Sequence, residues 1–271
     1  MTETKERIHD IVRHKYAEIA RSRSMKGPGR CCGADQEAPA DFNMIGDAYD
    51  GVSGYMAEAD LGLGCGLPVE HAGLAPGQTV LDLGAGAGLD AFVARREVGA
   101  EGRVIGVDMT PEMVSKARDN AAKAGYENVD FRLGEIEHLP VRSDSVDVVI
   151  SNCVLNLVPD KPRAFAEIHR VLKPGGHFCI SDIVSSNRLP DWVQDIADAY
   201  AGCVSGAIPR EDYIRIISEA GFDQVVIRAQ RRIDVPAELI AGALSSQQRE
   251  MVERMDLHVM SITVTARKAE S

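Results

Sequence analysis

No apolar run in this chain approaches the roughly 18 residues a membrane-spanning helix requires, so no membrane span is predicted. The amino terminus, MTETKERIHDIVRHKY, is charged throughout and lacks the apolar centre of a secretory signal. Basic charge is also short: 30 Lys and Arg stand against 41 Asp and Glu, a net charge of -11 with no basic run. Such a surface repels nucleic acid and anionic lipid, which excludes both as expected partners. The chain has six cysteines but no C-x-x-C pair, which argues against a paired zinc site. With no export signal, the cysteines are expected to be reduced thiols in a cytosolic, that is cytoplasmic, protein rather than a disulfide framework. Internal repeats and low-complexity tracts are absent too.

What is present is an ordinary globular composition, with 271 residues, 45% hydrophobic and 26% charged, ample for a buried core. Residues 4–21 carry Ile8, Ile11, Val12, Tyr16 and Ile19 at helical spacing, predicting an amphipathic helix. From Ser22 to about Gly66 the pattern fails at Gly27-Pro28-Gly29 and reads as an arm or lid. Thereafter strands near 79–83, 103–107, 129–133, 146–151 and 177–183 alternate with helices near 88–98, 111–124 and 162–171. That rhythm predicts a doubly wound parallel sheet. Thr110-Pro111 reads as a helix cap and first turn, and Lys173-Pro174-Gly175-Gly176 as a helix stop. Helices are expected at 190–202 and 209–220, a helical excursion at 235–255, and two last strands at Phe222–Arg228 and Ser261–Ala266, completing a seven-stranded sheet.

The stretch Val80–Asp90, VLDLGAGAGLD, organises the rest. An apolar strand running into Gly84, Gly86 and Gly88 and then a helix makes a turn in which a ligand can lie against main-chain atoms. A tight turn alone would satisfy this pattern. The next strand, however, ends in Asp108, 20 residues beyond Gly88, the interval at which a βαβ unit sets an acidic residue on ribose hydroxyls. A nucleoside ligand follows, and the G-x-G-x-G spacing disfavours a dinucleotide. With GEIEHLP, SVDVVIS and RVLKPGG in order behind it, the chain resembles the class I methyltransferases that use S-adenosylmethionine. The resemblance implies a Rossmann-like α/β fold with an N-terminal helical arm and a C-terminal α+β extension. It also implies that Asp82, Gly84, Ala85, Gly86 and Gly88 border the methionyl and ribose part of the cofactor, Asp108 and Met109 the ribose, Glu135 and Ile136 the adenine, and Asn152 the amino-acid end. Glu135 and Glu137 read equally as a solvated loop, and Asn152 as a turn residue.

The acceptor is addressed by the cysteines. When strands one and four are neighbours and the sheet reverses between them, the loops after both open on one crevice. Cys153 follows the fourth strand directly, and Cys65 lies in the Gly-rich LGLGCGLP, able to fold over that rim. Cys203 ends the face Trp192, Ile196, Tyr200, for which burial as a small hydrophobe is the simpler reading taken alone. Three thiols converging at the rim suit a soft, trivalent, trigonal ligand. Lys161, Arg163 and His169 read as solvated helix charges, and Cys179 as core.

LGLGCGLP, VIGVDMTPEMVSKAR, RLGEIEHLPV, VISNCVLNL with PDKPR, SDIV and AYAGCVSGA together resemble the arsenite methyltransferases from Val12 to about Phe222. The resemblance implies that Cys65, Cys153 and Cys203 bind As(III), and that Cys31 or Cys32 delivers it or exchanges thiols. It implies arsenite and methylarsenite as substrates and a thiol reductant, thioredoxin or glutathione, as co-substrate. The expected organisation is 1–68 as helix and Cys-containing arm, 69–187 as cofactor domain and 188–271 as substrate-covering helices and last strands. Two rival readings use the same residues: a methyltransferase for a small organic acceptor such as a quinone or sterol precursor, and a non-catalytic arsenic-binding thiol protein.

Overall fold

A computed structural model describes residues 2–22, 49, 52–190, 206–233, 250, 254 and 257–270. The expected helix at 190–202 beyond its first residue, nearly all of the excursion at 235–255, and Cys31, Cys32 and Cys203 lie outside the described residues.

The described chain runs α1 (Thr2–Ser22), α2 (Pro68–His71), β1 (Thr79–Leu83), α3 (Leu89–Val98), β2 (Arg103–Asp108), α4 (Pro111–Ala124), β3 (Val129–Leu133), β4 (Val146–Asn152), a short 3-10 turn (Leu155–Leu157), α5 (Lys161–Val171), β5 (Leu172–Ser185), α6 (Arg210–Glu219), β6 (Phe222–Ile233) and β7 (Val259–Lys268). The strands form one seven-stranded sheet in the order β3-β2-β1-β4-β5-β7-β6. β1 pairs in parallel with both β2 and β4, so the direction of winding reverses at β1 and β4. β7 runs antiparallel between β5 and β6. The expected seven-stranded α/β architecture is therefore the observed one.

Central strands here are apolar without alternation because helices cover both faces. Val80, Leu81 and Leu83 are fully buried, and the described core divides into two large clusters and a third, smaller one. On the α5 and α6 side, Phe165 packs edge-on to Tyr213 with ring centroids 5.6 Å apart. On the other, Phe92 meets Phe131 at 5.8 Å. Truncating a buried ring of this kind to Ala costs about 3–5 kcal/mol.

Three local expectations differ. Thr110 precedes α4 as predicted but makes no capping bond with its side chain. Its amide instead donates to Asp108 Oδ1 at 2.8 Å. Lys173-Pro174-Gly175-Gly176 ends a helix, yet it lies inside β5 as a bulge: Val146 pairs with Leu172 and Val148 with His177. The bulge is fixed by Gly175 at φ 75° and by Lys173, whose ammonium donates to Asp147 at 2.7 Å. β6 also extends to Ile233 rather than Arg228, since β7 offers it a partner along most of that length. Among the described residues no helix is long and apolar enough to cross a membrane.

Candidate functional site

The turn after β1 opens a cavity of about 300 Å³ at the carboxyl ends of β1, β2 and β4, at the lower end of the roughly 300–1,000 Å³ typical of small-molecule sites. Gly84 stands at φ 65°, and a Cβ there would lie 2.5 Å from Val154 Cγ2, so only glycine fits the turn. The amides of Gly84 and Ala85 donate to the Val107 carbonyl at 2.8 and 3.0 Å, pinning the turn to β2.

Eight of the ten expected cofactor residues, Gly84, Ala85, Gly86, Asp108, Met109, Glu135, Ile136 and Asn152, line this one cavity. Asp82 and Gly88 do not. Gly88, at φ 100°, sits below the turn, where a Cβ would come within 2.8 Å of the Phe92 and Phe131 rings. Asp82 is only 2% exposed and leaves Oδ2 without a hydrogen-bond partner. Burial first, then the Asp90 and Asp108 carboxylates, hold its pKa well above the usual range. Its place is beneath the cradle, outside the cavity lining. Asp108 does face the cavity, but each carboxylate oxygen already accepts one main-chain amide, Oδ2 from Gly86 at 2.9 Å and Oδ1 from Thr110. Those bonds fix its orientation and leave lone pairs for hydroxyl donors. Burial raises its pKa.

Asp90, in the first turn of α3, lines the cavity although its sequence position suggested no role. Its Oδ1 accepts the Tyr49 hydroxyl at 2.7 Å and its Oδ2 the Asn152 amide at 3.2 Å. Burial pushes its pKa up to about 6, against the lowering effect of those two bonds. No motif joins Tyr49 to Asp90, because their pairing spans 41 residues.

The amino-terminal helix closes another side. His9, Val12 and Tyr16 of α1 line the cavity. His9 Nε2 lies 3.1 Å from Glu137 Oε1, and Arg13 donates to Glu135 Oε1 at 3.1 Å. Glu137 is accordingly 7% exposed rather than a solvated loop residue.

At the inner rim, Cys65 and Cys153 are both buried and pack in one cluster with Ile183, Leu189, Ala207, Ile233 and Val259. Cys153 also lines the cavity, so the thiol cluster and the cofactor cradle share a wall. Cys153 adopts φ 60°, left-handed for a non-glycine residue, and its amide donates to the Ser181 carbonyl at 2.8 Å. Ala207, four residues beyond Cys203 in sequence, belongs to the same cluster. Among the described residues no group of three or more His, Cys, Asp or Glu side chains is disposed to hold a metal ion.

A methyltransferase-domain family model matches residues 74–221. The chain is 47% identical over 97% of its length to an arsenite methyltransferase of Halobacterium salinarum, covering 67% of that protein. The chain belongs to the arsenite methyltransferase family. It is 33% identical over 88% of its length to the arsenite methyltransferase of Aquipseudomonas alcaligenes, covering 68% of it. Among solved structures it resembles an arsenic(III) S-adenosylmethionine methyltransferase from Chlamydomonas reinhardtii, with a TM-score of 0.65 and 38% identity over 76% of this chain and 68% of that one. The chain thus spans about two thirds of the length of these relatives.

An arsenite methyltransferase chain is an S-adenosylmethionine-dependent methyltransferase, and the residues present fit that methyl donor. At Gly86 the space a Cβ would occupy is open, and Asp90 offers a half-buried carboxylate to a cationic ligand. Cys179 behaves as core: it is fully buried in β5, and burial pushes its thiol up to about 12. Lys161 is not the solvated charge expected, being 8% exposed with its ammonium donating to the Asn156 and Val158 carbonyls at 3.0 and 3.2 Å. His169 stacks edge-on to Phe222 at 5.1 Å, and burial lowers its pKa. Asp182 and Tyr213, unmarked in the sequence, form a buried pair joined at 3.0 Å, with the Asp182 pKa raised by burial to about 6.

Proposed function

We propose that this chain methylates trivalent arsenic held by the thiolates of Cys65, Cys153 and Cys203, using S-adenosylmethionine bound in the glycine-turn cavity. The carrying observation is that Cys65 and Cys153, 88 residues apart in sequence, pack in one buried cluster whose Cys153 forms part of the cavity wall. Arsenous acid is neutral at working pH, so the net charge of -11 does not repel it. Each As–S bond releases one water as the thiol proton joins the departing hydroxide. Soft sulfur donors select such a guest over hard cations.

When bound, S-adenosylmethionine supplies a methyl group on a positively charged sulfur. In this reading Asp108 and Met109 border the ribose, with Asp108 taking its hydroxyls, Glu135 and Ile136 border the base, and Asp90 and Asn152 take the amino-acid end. The residues' contribution is position: the thiolates hold arsenic so that its lone pair faces the methyl group, with no base needed at arsenic. Residues 1–68 act as the covering arm, 69–187 as the cofactor domain and 188–271 as the substrate cover and last strands. Cys31 or Cys32 passes arsenic to the other three thiols. Thioredoxin or glutathione restores the cysteines and releases product between turns.

The test is direct. Reduced protein incubated with arsenite, S-adenosylmethionine and a thiol is expected to yield methylated arsenic, separated by chromatography and identified by mass. Cys65→Ser and Cys153→Ser are each expected to abolish most of it. Absence of methylated arsenic alongside an active control enzyme refutes the reading, and full turnover of an organic acceptor by Cys153→Ser transfers the function to that rival.

A further inference from the structure

The amide of Asn152 lies between the cofactor cavity and the thiol loop. Its Oδ1 accepts the Cys65 amide at 2.9 Å. Its Nδ2 donates to the Gly66 carbonyl at 2.8 Å and to the Tyr49 hydroxyl at 2.7 Å, and stands 3.2 Å from Asp90 Oδ2. Tyr49 in turn donates to Asp90 Oδ1 at 2.7 Å. An amide nitrogen carries two hydrogens, so three acceptors compete for them. Which two are served depends on how strongly the Asp90 carboxylate attracts.

The loop is built to register that choice. A Cβ on Gly64 would lie 2.7 Å from Asn152 Nδ2, so the loop backbone sits directly on the amide. On its other side the Cys65 carbonyl accepts the Ser261 hydroxyl at 2.5 Å. Cys65 therefore has its main chain clamped at both its amide and its carbonyl, with Asn152 as the clamp nearer the cavity.

We propose that Asn152 is a positioning residue that couples the two ligands, transmitting occupancy of the cavity at Asp90 to the placement of the Cys65 thiol, so that cofactor and arsenic each strengthen the other's binding. This rests on the function proposed above. A cationic amino group beside Asp90 redistributes the hydrogen bonds shared among Asp90, Tyr49 and Asn152, and the Asn152 amide carries the Cys65 and Gly66 backbone with it. Thermodynamic linkage makes the effect reciprocal.

Arsenite binding measured by titration calorimetry with and without saturating S-adenosylhomocysteine, which transfers no methyl group, tests this. The wild-type arsenite dissociation constant is expected to fall about tenfold with that ligand, within the usual range of coupling between sites. Asn152→Ala is expected to bring the ratio to about one, with thermal unfolding confirming a folded protein. A merely structural role would weaken both ligands and leave the ratio intact. Tyr49→Phe, which keeps the bond to Cys65 and removes the shorter of the two routes from Asn152 to Asp90, is expected to lower the ratio at least threefold and carries the test where the Asn152 variant does not fold. An Asn152→Ala or Tyr49→Phe ratio equal to wild type, or a wild-type ratio of one in protein that still methylates arsenic, overturns the coupling alone. A wild-type chain that binds no arsenite overturns the proposed function, and the coupling falls with it.

Discussion

Acidification is expected to loosen the cofactor through a single carboxylate. Burial places the Asp90 pKa near 6 in the ligand-free protein. A ligand with an ammonium group favours the ionised carboxylate and so depresses that value in the complex. Binding below pH 6 must then release a proton. The affinity for S-adenosylhomocysteine is therefore full above pH 6 and is lost as pH falls, by a factor of 1 plus ten to the power (6 − pH). At pH 5 this amounts to about tenfold, or about 1.4 kcal/mol. Asp90→Asn is expected to bind more weakly at pH 8, by the roughly 1.5–3 kcal/mol of a hydrogen bond to a charged group, and to lose most of the dependence between pH 5 and 8. Asp108 and Asp82 are present in both proteins, so the difference between them reports Asp90 together with its effect on the neighbouring Asp82, whose pKa the Asp90 charge raises. Calorimetry in two buffers of unequal ionisation enthalpy counts the protons: about one released at pH 5 and about none at pH 8. A wild-type affinity that is flat across this range, or an equal slope in Asp90→Asn, refutes the assignment.

Three further outcomes are expected. Tyr213→Phe removes the donor at 3.0 Å from Asp182 Oδ2, and a buried acceptor deprived of its partner costs about 1–3 kcal/mol, read from urea unfolding. Gly84→Ala forces a side chain into φ 65° and against Val154. A left-handed penalty of about 1–2 kcal/mol is expected as lost stability in urea unfolding even before that clash is relieved. Cys179→Ala, remote from the cavity lining, is expected to keep wild-type methylation while losing about 1–2 kcal/mol of stability to the space it leaves.

The sheet was legible because the strands are dominated by apolar residues, as in Val80–Leu83 and Val146–Ile150, each broken by a single aspartate, and the helices keep their period. The cradle was legible because Gly84 and Asp108 obey a local spacing that the βαβ unit imposes. Side-chain direction was not. Asp82 sits on the strand below the turn, and nothing in its position within the motif separates a residue under the cradle from one facing it. Asp90 closes the glycine-rich stretch without a role legible there, since the groups that make it distinctive, Tyr49 and Asn152, arrive from 41 residues before and 62 residues after. Lys161 and Glu137 failed for the same reason: charge predicts solvent, and only tertiary packing shows that main-chain carbonyls and His9 replace it. The bulge in β5 escaped because Pro-Gly-Gly is as good a helix terminator as it is a strand irregularity.

The left-handed backbone at Cys153 has a consequence for how this enzyme can change. Glycine, asparagine or aspartate would rest in that conformation more comfortably than a thiol-bearing residue does. Drift towards greater robustness at this corner therefore points away from sulfur, and under the function proposed above only selection by arsenic opposes it. The corner would then record exposure history: a lineage keeping sulfur there has had reason to.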